Sequence, residues 1–73
     1  MDKKAKEALE RIEYLYLVEE PKIHKKEKKI SCFQEIHNLA RENNFQQWVH
    51  LAVGYIHWVE KGYQVALDEF ENS

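Results

Sequence analysis

A chain of 73 residues with one cysteine, one proline and a formal net charge of −2 makes one small domain, which buries only about 60% of the surface its unfolded form exposes. The lone Cys32 excludes an internal disulfide, and no Cys-x-x-Cys or Cys-plus-His pair offers a structural zinc site, so packing and association with a second chain remain as sources of stability. Residues 1–29 hold nine Lys/Arg against seven Asp/Glu and residues 30–73 two against six, and neither balance is that of a nucleic-acid or membrane binder by bulk charge.

The opening MDKKAKEALER has no apolar segment or small-residue cleavage site behind it, and no run approaches the roughly 18 apolar residues of a membrane span. The expectation is a cytoplasmic protein with no membrane partner. From Asp2 to Glu20, Ala5, Ala8, Leu9, Ile12, Leu15 and Tyr16 fall on one face at helical spacing, which predicts an amphipathic helix. Asp2 is placed to cap its first amides, and Pro21 ends it because proline has no amide proton and biases Glu20 away from helical geometry. Near that end Tyr14, Leu17 and Val18 lie opposite the first stripe, a second apolar patch and a candidate partner-binding surface.

The next helix is expected from Ser31 to Asn43, where Ser31 and Gln34 have capping-box spacing. Cys32, Phe33, Ile36, Leu39 and Ala40 share its inner arc. Continued backward, the helix would bring Lys25, Lys26 and Lys29 onto or beside that arc, where an unpaired ammonium is costly. The segment PKIHKKEKK is therefore expected to be a basic connection over 21–30, or a helical extension projecting past the core. Asn43 and Asn44 end the helix, since asparagine tolerates left-handed geometry.

A third helix is predicted over residues 45–61, with Trp48, Val49, Leu51, Ala52, Val53, Tyr55, Ile56, Trp58 and Val59 spread over more than half its circumference. Trp48 heads this stripe and is expected at the centre of the core. The remaining polar strip holds His50, Gly54 and His57. The two histidines stand roughly 10 Å apart along the axis, too far for one metal ion, since chelating pairs on a helix are three or four residues apart. They read as a solvent-facing or partner-facing strip, in which Gly54, costing about 1 kcal/mol against alanine, either admits a neighbouring backbone or is simply tolerated. A zinc site shared between two copies would need symmetry that the sequence does not fix. Gly62 stops this helix, and a short fourth is expected over 63–70, with Tyr63, Ala66, Leu67 and Phe70 on one face.

Trp48, Leu51, Ala52 and Tyr55, followed by Gly62, Tyr63, Ala66 and Phe70, resemble a tetratricopeptide helix pair over about a third of the chain. The chain departs from that pattern in a connection two residues longer, in lacking a closing proline and in lacking a second copy. The resemblance implies αα-hairpin packing and peptide binding.

No enzyme is expected. The chain has no threonine, and its serines are Ser31, the expected cap, and Ser73, so an activated hydroxyl nucleophile has no candidate. Two glycines cannot form a glycine-rich phosphate loop, and Cys32 lies on an apolar arc that favours an inert thiol. Neither cofactor nor metal is expected. Nucleic acid is the competing partner, because Lys22, Lys25, Lys26, Lys28 and Lys29 surround only Glu27. Against it stand a scarcity of arginine, a third helix too apolar for base reading and an acidic C-terminal half. The reading is an all-α bundle of three main helices and a short fourth, a noncatalytic protein-binding module of the small bacterial or phage regulator, inhibitor or adaptor kind. A dimer is expected, because 25 Leu, Ile, Val, Phe, Tyr and Trp residues exceed what a small core holds. A self-assembly subunit is the structural alternative.

Overall fold

In the computed structural model the described residues, 2–61, form three α-helices and no strand: α1 (Lys3–Tyr14), α2 (Lys26–Glu42) and α3 (Gln46–Lys61). The expected fourth helix over 63–70 and its stop at Gly62 lie outside the described residues.

The Asp2 carboxylate caps α1 by accepting from the Ala5 amide at 2.8 Å. Ala8, Ile12 and Leu15 are buried, while Ala5, Leu9 and Tyr16 are partly covered. The helix does not run unbroken to Glu20. It widens into a π-helical turn over Leu15–Glu19 and then tightens into a 3-10 turn over Glu20–Lys22. Pro21 is the physical cause, because its ring and missing amide proton cannot continue an α-helical ladder. The Glu20 amide instead reaches the Leu15 carbonyl five residues back. In that wider turn Glu20, rather than Glu19, stands in line with inward-facing Leu15.

The lysine-rich stretch is largely helix. α2 begins at Lys26, five residues before Ser31, after an extended Lys25 that supplies no side-chain cap. Ser31 caps nothing: its hydroxyl donates to the Glu27 carbonyl one turn back, at 3.0 Å, an alternative bond always open to a serine inside a helix. The cost expected for Lys29 on the inner arc is met by pairing. Its Nζ lies 2.6 Å from Glu20 Oε1, and both side chains are largely covered, 28% and 21% exposed.

Asn43 and Asn44 end α2 as the sequence leads one to expect. Asn44 takes a left-handed φ of 60°, the Phe45 amide donates to the Ala40 carbonyl at 2.8 Å, and the Asn44 amide donates to that of Arg41 at 3.3 Å. This is a Schellman ending with asparagine in the glycine position. It reverses the chain so that α3 packs antiparallel to α2, with Lys26 at the start of one donating to the Glu60 carbonyl near the end of the other, at 3.3 Å. The lysine sits where the helix dipole favours a cation.

Ile12, Phe33 and Ile36 are the largest fully enclosed side chains, joined in the core by Leu15, Cys32, Ala40 and Ala52. Trp48 is not at the centre. It is half-buried and meets Tyr16 edge-on at 5.4 Å between ring centroids. Three helices leave room for only one layer of enclosed side chains, and an indole in the first turn of α3 lies at its rim. Phe33 takes the central aromatic position, stacked on Tyr55 at 4.8 Å with the rings 7° from parallel.

Candidate partner-binding surface

The turn that follows α1 places the candidate apolar residues. Tyr14, Leu17 and Val18 are neighbours at spacings of three and four, which on a helix surface bring side chains together. They are exposed by 45%, 65% and 37%. Leu15 and Tyr16, between them in sequence, point inward. The wide turn therefore sorts five consecutive residues into two faces. The Glu19 carboxylate, five residues beyond Tyr14, is the main reason the phenol's pKa lies above its ordinary value, through hydrogen bonding first and its negative charge second. Arg11 stands over the Tyr14 ring at 5.9 Å, while its Nε donates to Glu35 at 3.1 Å.

His50, Gly54 and His57 do not form one continuous strip. His50 is exposed and borders a depression of about 390 Å³ with Leu51, Tyr55 and Trp58. His57 is half-buried in a groove of about 500 Å³ between α2 and α3, lined also by His37, Gln34 and Asn38. Gly54 is half-buried between them. Seven residues return to the same side of a helix but two turns along it, and the two histidines border different depressions. The pairing of His37 with His57 in one groove is a cross-helix juxtaposition that periodicity within one helix does not contain. Among the described residues, no three His, Cys, Asp or Glu side chains are gathered as a metal site.

The lysines are also divided. Lys22, Lys25 and Lys28 are exposed, Lys26 is turned toward the end of α3, and Lys29 is neutralised by Glu20. Lys28 borders a groove of about 380 Å³ that Glu19 and Glu35 also line. Of the five lysines, Lys22, Lys25, Lys26 and Lys28 are exposed and Lys29 is paired with Glu20.

The Lys29–Glu20 pair was the feature least visible in the sequence. It floors a cleft of about 180 Å³ walled by Phe33, Tyr55, Trp58 and Val59. The signal for it was indirect: a lysine on an apolar arc demands a carboxylate, and Glu19 and Glu20 stand just before the chain-reversing proline. Cys32 is buried, its Sγ facing the Leu15 carbonyl at 3.8 Å, and burial pushes its thiol pKa upward. A high thiol pKa keeps the nucleophilic thiolate scarce.

No helix among the described residues is long and apolar enough to cross a membrane. Compared with models of protein families, with curated proteins and with solved structures, the chain gives no significant match.

Proposed function

We propose that the chain is a noncatalytic protein-binding module whose docking surface is the outer side of the turn after α1, built on Tyr14, Leu17 and Val18. The observation that carries this reading is Leu17, 65% exposed beside two further exposed apolar side chains. Singly exposed apolar residues are ordinary on protein surfaces, whereas contiguous ones mark interaction sites. A module of this kind acts as a small regulator, inhibitor or adaptor by occupying or bridging a partner.

Leu17→Asp tests the reading, because an exposed position tolerates the change with little effect on folding. Affinity capture with the wild-type chain should recover a partner that the Leu17→Asp chain, shown folded by circular dichroism, does not recover. Equal recovery by both chains would remove this face from the function.

The second reading is a nucleic-acid contact through the exposed Lys22, Lys25, Lys26 and Lys28. Its test is retention on heparin or duplex DNA, compared with a chain carrying Gln at the lysines of 22–29. The protein-binding reading expects weak retention lost at moderate salt, since few phosphates would be neutralised. A self-associating chain, the third reading, would show a concentration-dependent mass in sedimentation equilibrium.

A further inference from the structure

Resting on the docking reading above, we infer that the face at Tyr14, Leu17 and Val18 takes a basic amphipathic segment, an apolar stripe flanked by Lys or Arg, and does not take a second copy of this chain. The argument is charge and area. Glu10 lies one turn before Tyr14 and Glu13 one turn before Leu17, and both are exposed. Lys28 borders the groove that Glu19 and Glu35 line, and the other nearby cations leave Glu10 and Glu13 unbalanced. Arg11 stands over the Tyr14 ring but its charge is offset by Glu35 at 3.1 Å, Lys6 lies a further turn back, and Lys22 is the last residue of the 3-10 turn after Pro21.

An apolar patch with an acidic rim repels an identical patch. A twofold contact is isologous and uses the same patch on both chains, so closing it on Leu17 would bring the exposed Glu10 and Glu13 carboxylates of both chains into one interface, and like charges brought together there are costly. The patch is also small. Three partly exposed side chains fall well short of the roughly 800 Å² that a stable complex buries on each partner, whereas a single helix laid against the turn needs only a few anchors at helical spacing. A partner segment with lysines or arginines beside its apolar anchors meets both conditions.

The probes are two synthetic helical peptides of about 15 residues, the length at which a helix becomes marginally stable. They share one leucine stripe, flanked by lysine in one and by glutamate in the other. Fluorescence anisotropy gives their affinities for the full chain, and amide shifts give the face they occupy. The expected result is binding of the lysine peptide about tenfold tighter than the glutamate peptide, weakening with salt and shifting Tyr14, Leu17 and Val18. The double variant Glu10→Lys/Glu13→Lys, altered only at exposed positions, should invert the preference. Equal affinities, or no binding of either peptide, would overturn the inference while leaving the docking reading to its own Leu17→Asp capture test. Concentration-dependent shifts at Tyr14, Leu17 and Val18 without peptide would also overturn it, by showing a second copy on the face.

Discussion

The seam between α1 and α2 and the seam between α2 and α3 solve the same packing problem with different chemistry. The second is mainly apolar: Phe33 stacks on Tyr55, Ala40 and Ala52 are fully enclosed, and Val49 and Ile56 pack against the core. The first is apolar at Ile12 and Leu15 but tied by polar contacts, Arg11 to Glu35, Glu20 to Lys29 and Cys32 to the Leu15 carbonyl. Apolar packing is non-directional and holds two helices together over a range of rotations. Hydrogen bonds and ion pairs require particular geometries. In this chain two of these directional contacts, at the Leu15 carbonyl and at Glu20, lie on the irregular turns that lead into Pro21, where the path of the backbone most needs to be specified.

The comparison is broken most severely at Phe33. Phe33→Ala empties the largest enclosed side chain and removes the stack on Tyr55, so a loss of about 3–5 kcal/mol is expected, comparable to the whole stability of a small domain. Urea denaturation measures it. Trp48→Ala should cost less than Phe33→Ala because the indole is only half-buried, the reverse of what the sequence stripe suggests.

Lys29 probes the directional seam. Lys29→Ala leaves a largely covered Glu20 carboxylate without its cation, and a loss of roughly 1–3 kcal/mol follows from removing one partner of such a pair. Lys29→Met together with Glu20→Gln should recover part of that loss, because replacing both charges removes the uncompensated one and retains volume. Recovery in the double variant, read from denaturation midpoints, separates an electrostatic role from simple packing by the lysine stem.

These contrasts also explain what was legible in the sequence. Helical periodicity located α1's inner stripe, α2's inner arc and the exposed patch at Tyr14, Leu17 and Val18, because within one helix the sides are fixed by spacing alone. Asn43 and Asn44 gave the end of α2 because a left-handed residue is needed there. Periodicity does not encode which of two adjacent carboxylates faces a distant lysine, and a local capping signal at Ser31 misdirected the start of α2. The helix began earlier because Lys29 had a partner across the chain reversal. Centrality in the core was misjudged at Trp48 for a similar reason: a single wheel ranks residues by direction and says nothing of which lie at the middle of the helix-to-helix contact. The candidate surface was therefore visible as an apolar patch, while the pairing of Arg11 with Glu35 across the seam was not.

A smaller effect is expected at the Tyr16–Tyr55 hydroxyl contact, 3.2 Å long. Tyr55→Phe keeps the stack on Phe33 and removes one hydrogen bond, worth about 0.5–1.5 kcal/mol. Its clearer signature is in alkali. The hydrogen bond to Tyr16, then burial and then the nearby charges push the Tyr55 pKa from 10.0 up to about 12. Folding thus favours the neutral phenol. The associated stability is fully present below pH 10 and is lost as pH rises from 10 toward 12, where the unfolded chain ionises more readily than the folded one. Tyr55→Phe should flatten that part of the decline, measured as denaturation midpoint against pH. An unchanged slope would place the alkaline sensitivity elsewhere.

The smallest effect belongs to Arg11. Its guanidinium spans the seam to Glu35, yet the two side chains are 51% and 46% exposed. Solvent screens such a pair, and ordering two long side chains offsets much of its attraction, so Arg11→Ala should cost no more than about 1 kcal/mol. The contrast with Lys29→Ala is the informative quantity. Both variants remove a cation from the same seam, but only the Lys29 pair is shielded from water by Phe33, Tyr55 and Val59. Added salt should therefore erase the Arg11 effect while leaving most of the Lys29 effect, because screening acts within about 10 Å at 0.1 M on exposed charges and much less on covered ones. Equal salt sensitivity in the two variants would show that the cleft over Lys29 is open to solvent, and that directional contacts and apolar packing are not divided between the seams.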